Sequence, residues 1–266
     1  MTESEYRCHP SVSRSDLWHM MVSPEKYRYI HDNPPIPTDA LLFGQVFHKL
    51  VLEPDTFYDE FAVAPDVDMR TKAGKQEMEE FSLENPGKEI IPIGMFQQAS
   101  EMRKSVMSVP QAVKLLRGEH EVPYFWKDEE SGVECKCRAD CISKIGNINV
   151  IVDLKSCADA STEKFSREAL KYGYDFQSAF YSAGINECRN AEHIFVFIAV
   201  EKNPPYSVNI LQADDLFVEH GKMIMRKLLA EYADCKQTGN WWGYMGREHQ
   251  INTLTIPAWA VKDLEG

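Results

Sequence analysis

Residues 137–155 read CRADCISKIGNINVIVDLK, and this stretch decides how the chain is expected to fold. It lies within a region rich in β-forming residues, which predicts one strand over Val133–Ile142 and another over Ile148–Leu154. The second run is apolar without a break from Val150 to Val152, which is typical of a strand buried on both faces. We therefore predict that this strand lies at the centre of a sheet.

The sequence on both sides of this stretch extends the sheet and adds helices. A strand predicted just before it, at His120–Trp126, makes an antiparallel meander of three strands. The elements predicted after it are a helix over Phe165–Asn186, strands over Ile194–Val200 and Tyr206–Leu211, and a helix over Asp214–Lys236. Those predicted before it are helices over Ser13–Ile30 (broken near Pro24), Thr38–Leu52 (burying Leu41, Leu42, Val46, Leu50 and Val51) and Met95–Leu116 (interrupted near Pro110).

This order predicts an α/β fold in which a central mixed β-sheet is flanked by helices. We expect a single domain over residues 1–266, mainly helical at 1–118, with the sheet core at 119–212 and a helix and tail at 213–266. The sequence has no run of about 18 apolar residues, so no membrane span is predicted. The polar start, Met1–Pro10, lacks the apolar core of a signal peptide, so a cytoplasmic location is expected.

The formal net charge of −12 argues against a surface covered with phosphate-binding groups. It does not exclude an enzyme acting on nucleic acid, because such an enzyme needs clustered carboxylates for its metal and can gather its basic residues in one channel. The seven cysteines are scattered, which favours reduced thiols over a disulfide framework.

Asp140, Asp153 and Lys155 form the candidate active site. Asp140 is expected to end one strand and Asp153-Leu154-Lys155 to end the next, and neighbouring strands lie about 4.8 Å apart. Asp153 and Lys155 are two positions apart, so they share one face of their strand. Two carboxylates and one ammonium group are therefore expected to meet at one spot.

The chemistry of this set fits metal-dependent phosphodiester hydrolysis. Carboxylate oxygens are ligands that Mg²⁺ and Mn²⁺ prefer, and the backbone carbonyl of Leu154 is a further candidate ligand. A lysine beside the metal can orient or deprotonate water and offset phosphate charge. The same pattern also fits a structural role, in which Asp140 and Asp153 cap strand ends and Lys155 pairs with one of them.

Five longer motifs surround these residues and share the order and spacing of a known family. They are Phe43-Gly44-x-x-Phe47-His48-x-Leu50, Cys137-Arg138-Ala139-Asp140, Val152-Asp153-Leu154-Lys155-Ser156, Tyr174-Asp175-Phe176-Gln177-x-Ala179-Phe180-Tyr181 and Leu254-x-Ile256-Pro257-x-Trp259-Ala260. Through them the chain, from about Ser13 to Trp259, resembles the RecB-type PD-(D/E)xK nucleases. Within that group it resembles the RecE-like exonucleases (exodeoxyribonuclease VIII).

The resemblance implies a PD-(D/E)xK nuclease core and gives roles to particular residues. The implied metal ligands are His48, Asp140, Asp153, the Leu154 carbonyl and, through water or a second ion, Glu121. Lys155 would act on the attacking water. Gln177 and Tyr181 are four residues apart on one helical face, and they would position DNA or Lys155. Glu119 competes with Glu121 for the additional acidic role.

The resemblance also implies an activity and partners. The activity is Mg²⁺-dependent 5′→3′ digestion of one strand of linear double-stranded DNA, with Mn²⁺ as a substitute, leaving 3′ single-stranded tails for homologous recombination. The implied partners are a RecT-like single-strand annealing protein and further copies of the chain in a ring-shaped homotetramer. Two alternatives stay open: an endonuclease or single-strand nuclease on the same core, and a non-catalytic DNA-end-binding adaptor for an annealing protein.

Two other groups are candidates for contacts with DNA. Arg70, Lys72 and Lys75 could bind backbone phosphates, although a solvated loop is the favoured explanation. Trp241 and Trp242 could stack on bases, although packing or a subunit contact is the favoured explanation.

Overall fold

The computed structural model describes residues 3–256 and residue 260, so the expected motif residues Pro257 and Trp259 lie outside the described part. The strands of the described part, in chain order, are β1 (Phe61–Val63), β2 (Glu89–Ile91), β3 (Gly118–Lys127), β4 (Glu134–Ile145), β5 (Ile148–Cys157), β6 (His193–Glu201) and β7 (Val208–Gln212).

The helices of the described part surround these strands. They are α1 (Glu3–Cys8), α2 (Arg14–Met20), α3 (Pro24–Asp32), α4 (Asp39–Leu52), α5 (Phe57–Glu60), α6 (Lys72–Glu84), α7 (Ile93–Ser108), α8 (Pro110–Leu115), α9 (Thr162–Lys171), α10 (Tyr174–Arg189) and α11 (Asp215–Thr238). No helix in this part of the chain is both long and apolar enough to cross a membrane.

The main sheet has the strand order β3-β4-β5-β6-β7. The first three strands form the predicted antiparallel meander, β6 runs parallel to β5, and β7 returns antiparallel to β6. The parallel step between β5 and β6 is made through α9 and α10, as a crossover connection requires. This mixed sheet flanked by helices confirms the predicted fold class, and β5 is central as expected.

Hydrophobic cores cover both faces of the sheet. On one face, Ile151 of β5 belongs to a core that includes Phe176 and Phe180 of α10 and Leu228 of α11. On the other face, Val150 and Val152 belong to a core formed with α4 and α7. The unbroken apolar run of β5 is therefore explained by helices packed on both sides of it.

The local predictions hold for most helix starts and fail at two points. Thr38 caps α4 by accepting a hydrogen bond from the Leu41 backbone, but the Leu41 side chain is 51% exposed and is not buried as predicted. The helix predicted over Phe165–Asn186 is two helices, because Gly173 adopts a left-handed φ of 66° between them. A Cβ at Gly173 would lie 2.2 Å from the Trp18 ring, so this close approach also requires glycine.

Candidate active site

The site begins where β4 and β5 separate. Their pairing runs from the Ile145–Ile148 end to Cys141 and Val152, and beyond it the Asp140 carboxylate fills the gap. Asp140 Oδ2 accepts a hydrogen bond of 2.6 Å from the Leu154 backbone N–H. The sequence led us to expect that Asp140 ends its strand. It lies instead inside β4, at the point where pairing with β5 ends.

Glu121 reaches the same gap from β3. The register of β3 and β4 is continuous on both sides, with His120 opposite Cys141 and Val122 opposite Ala139. Glu121 has a left-handed φ of 52°, a conformation that costs a non-glycine residue about 1–3 kcal/mol and that is concentrated at functional sites. Its carboxylate lies 2.7 Å from Arg138 Nε.

His48, Glu121 and Asp140 form a group that could hold a metal ion. One ligand atom from each lies within 4.8 Å of the other two, and His48 Nδ1 lies 3.5 Å from Asp140 Oδ2. His48 comes from α4, whose neighbouring residue Phe47 is fully buried and fixes the helix against the sheet. Two carboxylates and an imidazole at this spacing fit a divalent cation with bonds of about 2.0–2.2 Å.

Asp153, Lys155 and Gln177 form the second half of the site. Lys155 Nζ lies 2.6 Å from Asp153 Oδ2, and Gln177 Nε2 donates a hydrogen bond of 2.5 Å to Asp153 Oδ1. Gln177 thus contacts Asp153, the partner of Lys155, and the role of positioning DNA or Lys155 that the resemblance implies stays a prediction. The Lys155 ammonium lies 4.7 Å from the centre of the Tyr174 ring.

The groups of the site shift one another's pKa values because they are buried together. Burial and the neighbouring Asp140 raise the pKa of Glu121 to about 7. Burial also raises the pKa of Asp153. Burial disfavours the charge of Asp140 too, but His48 and Lys155 outweigh it and lower the pKa of Asp140. Burial favours the neutral forms of His48 and Lys155, yet the surrounding carboxylates outweigh it and raise the pKa of both.

Sequence reasoning gave no role to two residues that contact the site. Arg138 pairs with Glu121, and Tyr174 lies against Lys155. Both stand in motifs quoted above, and Arg138 shares the face of Asp140 because the two are two positions apart on one strand. Strand alternation was therefore a signal that could have identified Arg138.

The remaining sequence candidates have mixed placements. Leu154 is buried between Asp153 and Lys155, and its carbonyl as a ligand stays a prediction. Tyr181 packs beside Phe195, and burial raises its pKa well above the ordinary value. A metal role for Asp153 also stays a prediction, because the group of close ligand atoms described above does not include it.

The basic and tryptophan candidates lie elsewhere on the chain. Arg70 is exposed and pairs with Asp68 at 3.0 Å, while Lys72 and Lys75 are exposed in the first turn of α6, so their contact with DNA stays a prediction. Trp241 stacks on Tyr27 with ring centres 5.3 Å apart. The Arg247 guanidinium lies 4.2 Å from the centre of the Trp242 ring.

Comparisons with known proteins agree with this architecture. Residues 16–251 match a family model described as a PDDEXK-like domain of unknown function (DUF3799). A comparison with curated proteins gives no match. A crystal structure named "Putative exonuclease" from Eubacterium rectale aligns with a TM-score of 0.63 and 18% identity, over 99% of this chain and 97% of that chain.

A second solved structure, of SSO0001, aligns with a TM-score of 0.40 and 14% identity over 88% of this chain and 82% of that chain. The Eubacterium rectale structure shows a shared fold along the full length of both chains. The family model spans the whole region from α2 to the tail after α11, which includes His48, Glu121, Asp140, Asp153 and Lys155. The chain therefore belongs to the PDDEXK-like family DUF3799.

Proposed function

We propose that this protein is a divalent-metal-dependent deoxyribonuclease that hydrolyses phosphodiester bonds at the site between β3, β4, β5 and α4. The observation that carries the proposal is the convergence of His48, Glu121 and Asp140 ligand atoms within 4.8 Å, beside the buried Asp153–Lys155 pair. A structural role for these residues explains it less well, because burial and Asp140 raise the pKa of Glu121 to about 7 even with Arg138 and His48 beside it, a strain that a bound cation would relieve.

The residues divide into a group that holds the metal and a group that handles the substrate. A bound divalent ion would polarise the phosphodiester and lower the pKa of a water molecule. Lys155 stays protonated beside Asp153, so it would orient the attacking water and offset phosphate charge. Gln177 fixes the Asp153 carboxylate through its 2.5 Å hydrogen bond and thereby fixes the ammonium paired with it.

The finer activity that we propose is Mg²⁺-dependent 5′→3′ digestion of one strand of linear double-stranded DNA, which leaves 3′ single-stranded tails for recombination. The support for this is the resemblance of the motifs to RecE-like exonucleases, together with the name carried by the Eubacterium rectale neighbour. The same resemblance supports a RecT-like annealing partner and a ring-shaped homotetramer. A ring would help an acidic protein of net charge −12 to stay on DNA, because topology can replace part of the phosphate affinity.

The test is digestion of linear duplex DNA labelled at one 5′ end, with Mg²⁺, Mn²⁺ or EDTA, beside a closed circular duplex of the same sequence. Early release of the 5′ label as a mononucleotide, with circles intact and no reaction in EDTA, is the expected result. Cut circles would identify an endonuclease on this core. Binding of DNA ends without cleavage in either metal would identify a non-catalytic adaptor.

The proposed ring has a separate test. Sedimentation velocity at the protein concentration of the digestion should give the mass of a tetramer of the 30.5 kDa chain. A stable monomer that nevertheless digests DNA processively would contradict the ring and leave the nuclease activity in place.

A further inference from the structure

A cavity of about 740 Å³ lies apart from the metal group, where the segment after α1 meets α3 and the end of α11. Among the described residues, it shares no lining residue with the group of His48, Glu121 and Asp140. Its volume lies within the range of about 300–1,000 Å³ that is usual for ligand sites. The cavity is therefore large enough for a ligand, and its chemistry indicates which one.

Positive charge is concentrated in this cavity. Its basic lining residues are Arg7, Arg28, Lys136, Lys236, His9 and His31. Among the described lining residues Asp16 is the one carboxylate, and it is engaged with the Ser13 hydroxyl at 2.6 Å. In a chain of net charge −12, the four lysines and arginines among them favour an anionic ligand over a cationic one.

The basic residues are not equally available. Lys136 Nζ donates to the carbonyls of Tyr6 and His9, each at 2.8 Å, so it holds the N-terminal segment on the sheet. Arg28 pairs with Asp32 at 2.9 Å. Lys236 is exposed at the end of α11, and within the described residues no carboxylate forms an ion pair with it. Lys236 is thus the cation best placed to bind an added anion.

An aromatic platform lies beside these cations. Trp241 is half-buried and stacks on Tyr27 with an interplanar angle of 29°, while Tyr232 meets both rings edge-on. The Arg28 guanidinium lies 5.8 Å from the centre of the Trp241 ring. Aromatic rings next to backbone-binding cations are the combination that binds single-stranded nucleic acid, because bases stack while phosphates are neutralised.

The site is extended. A neighbouring cavity of about 440 Å³ shares Pro10, Tyr232 and Lys236 with the first, so the two adjoin along α11. An elongated groove fits a chain of nucleotides better than a single phosphate ion. Lys236 lies where the two cavities meet.

The groove is connected to the metal group along β4. Lys136 and Asp140 are four residues apart on this strand, which corresponds to about 13 Å at 3.3 Å per residue. The Tyr6 ring lies 5.0 Å from Lys136 Nζ and 5.1 Å from the Arg138 guanidinium carbon, and Arg138 pairs with Glu121. A chain of contacts from Lys136 through Tyr6 and Arg138 therefore links the groove lining to Glu121.

We propose that this groove, lined by Arg28, Tyr27, Lys236 and Trp241, binds a single strand of DNA, with a phosphate at Lys236 and a base on Trp241. The inference rests on the proposed nuclease function for its choice of DNA, because a nuclease that removes one strand of a duplex must accommodate the other. Its test is an equilibrium binding measurement, which does not require cleavage.

The experiment is fluorescence anisotropy of a labelled 12-nucleotide oligothymidylate with the full chain in EDTA, over a series of salt concentrations. Lys236→Glu is the test variant, and Lys227→Glu, an exposed lysine on the same helix, is the matched control. Lys236→Glu should weaken binding at least fivefold at low salt and reduce the salt slope by about one. Lys227→Glu should bind within twofold of the unchanged protein, and melting curves check that both variants fold.

A second readout reports on the aromatic platform. Titration with the same unlabelled oligonucleotide should quench tryptophan fluorescence, and Trp241→Phe should remove most of that change. Wild-type affinity and salt slope in Lys236→Glu, or an unchanged quench in Trp241→Phe, would overturn the inference. The inference would also be overturned if a hairpin-closed duplex bound more tightly than the single strand and its binding depended on Lys236.

The two proposals fail in different ways. Lys236-dependent binding without cleavage in Mg²⁺ or Mn²⁺ supports the groove and removes the nuclease function. Cleavage with oligonucleotide binding that ignores Lys236 and Trp241 overturns the groove and retains the nuclease function.

Discussion

Arg138 Nε of β4 lies 2.7 Å from Glu121 Oε2 of the neighbouring strand β3. This ion pair holds a carboxylate whose backbone is in the left-handed region, and it aims the carboxylate at His48 and Asp140. A charge-assisted contact of this length is among the stronger side-chain interactions. The register places Glu121 opposite Asp140 on the neighbouring strand, and the ion pair with Arg138 holds its carboxylate at the metal group.

The first prediction concerns Glu121. Glu121→Gln should weaken Mn²⁺ binding by 10- to 100-fold and lower the cleavage rate, because one of three clustered ligands loses its charge. Isothermal calorimetry and a duplex-digestion assay measure the two effects.

Glu119 is the matched control, since it lies two residues away on β3. Its side chain is 58% exposed and pairs with Arg189 at 2.9 Å, outside the metal group. Glu119→Gln should leave metal affinity and digestion within twofold of the unchanged protein. The reverse order of effects would mean that Glu119 is the ligand.

The sequence alone does not decide which of these two glutamates is the metal ligand. Glu121 stands on the predicted strand His120–Trp126 and Glu119 lies just before it, two positions away, so the sequence left them in competition. What separates them is the left-handed φ of 52° at Glu121, which no local pattern encodes. The Asp153–Lys155 contact could be predicted, because two positions on one strand share a face whatever surrounds the strand.

The fold shows the same division. The central place of β5 could be predicted from its apolar run, since burial on both faces excludes polar residues. The sequence does not predict the break at Gly173, because apolar periodicity continues across it and the close approach of Trp18, which requires glycine there, comes from a residue distant in sequence. Asp140 was placed at a strand end because the sequence marks where apolar residues stop and does not mark where two strands separate.

A second prediction concerns the two central charges. Asp140→Ala and Lys155→Ala should each abolish cleavage while the fold survives, because both act on charge at the metal and the phosphate. Asp140→Ala also leaves the Leu154 N–H without its acceptor, at a cost of about 1–3 kcal/mol, so thermal melts must accompany the digestion assay.

Asp140→Asn separates the two effects of that change. The amide keeps an oxygen for the Leu154 N–H but carries no charge for the metal. It should melt closer to the unchanged protein than Asp140→Ala does, and it should be equally inactive. Cleavage above a tenth of the wild-type rate in Asp140→Ala would show that Asp140 is not an essential ligand.

The third prediction is a pH dependence of metal binding. Burial and Asp140 raise the pKa of Glu121 to about 7, so this carboxyl is protonated in much of the metal-free protein at and below that pH. A metal must displace the proton, so affinity should rise with pH through about 7 and level off above it. Calorimetry with Ca²⁺ at pH 6, 7 and 8, in buffers of different ionisation heat, should show proton release that is smaller in Glu121→Gln, where the proton displaced from His48 remains. Equal affinity at all three pH values would contradict the assignment.

The fourth prediction concerns Gln177. Its amide donates to Asp153 in a buried setting, so Gln177→Ala should leave a carboxylate oxygen unsatisfied and free the Asp153–Lys155 pair to move. We expect kcat to fall at least tenfold while KM for duplex ends changes less than threefold, since Gln177 positions Asp153. A rise in KM alone would indicate that Gln177 instead contacts the DNA.

The fifth prediction concerns stability away from the site, at Asp128 in the turn after β3. This carboxylate accepts hydrogen bonds from the Ser131 backbone at 2.9 Å and hydroxyl at 2.6 Å, and it pairs with Arg226 of α11 at 2.5 Å. Burial disfavours its charge, but these partners outweigh burial and lower the pKa of Asp128. Asp128→Asn should therefore destabilise the protein by about 1–2 kcal/mol at pH 7 without changing cleavage.

The sign of the pH effect on that variant follows from the lowered pKa. A carboxyl whose pKa is lower in the folded state stabilises the fold above its unfolded pKa and loses this contribution as pH falls through the folded value. The difference between Asp128→Asn and the unchanged protein in urea unfolding should hence be full at pH 7 and shrink below about pH 4. A difference that persists undiminished at pH 3 would mean that Asp128 acts through the shape of the turn and not through its charge.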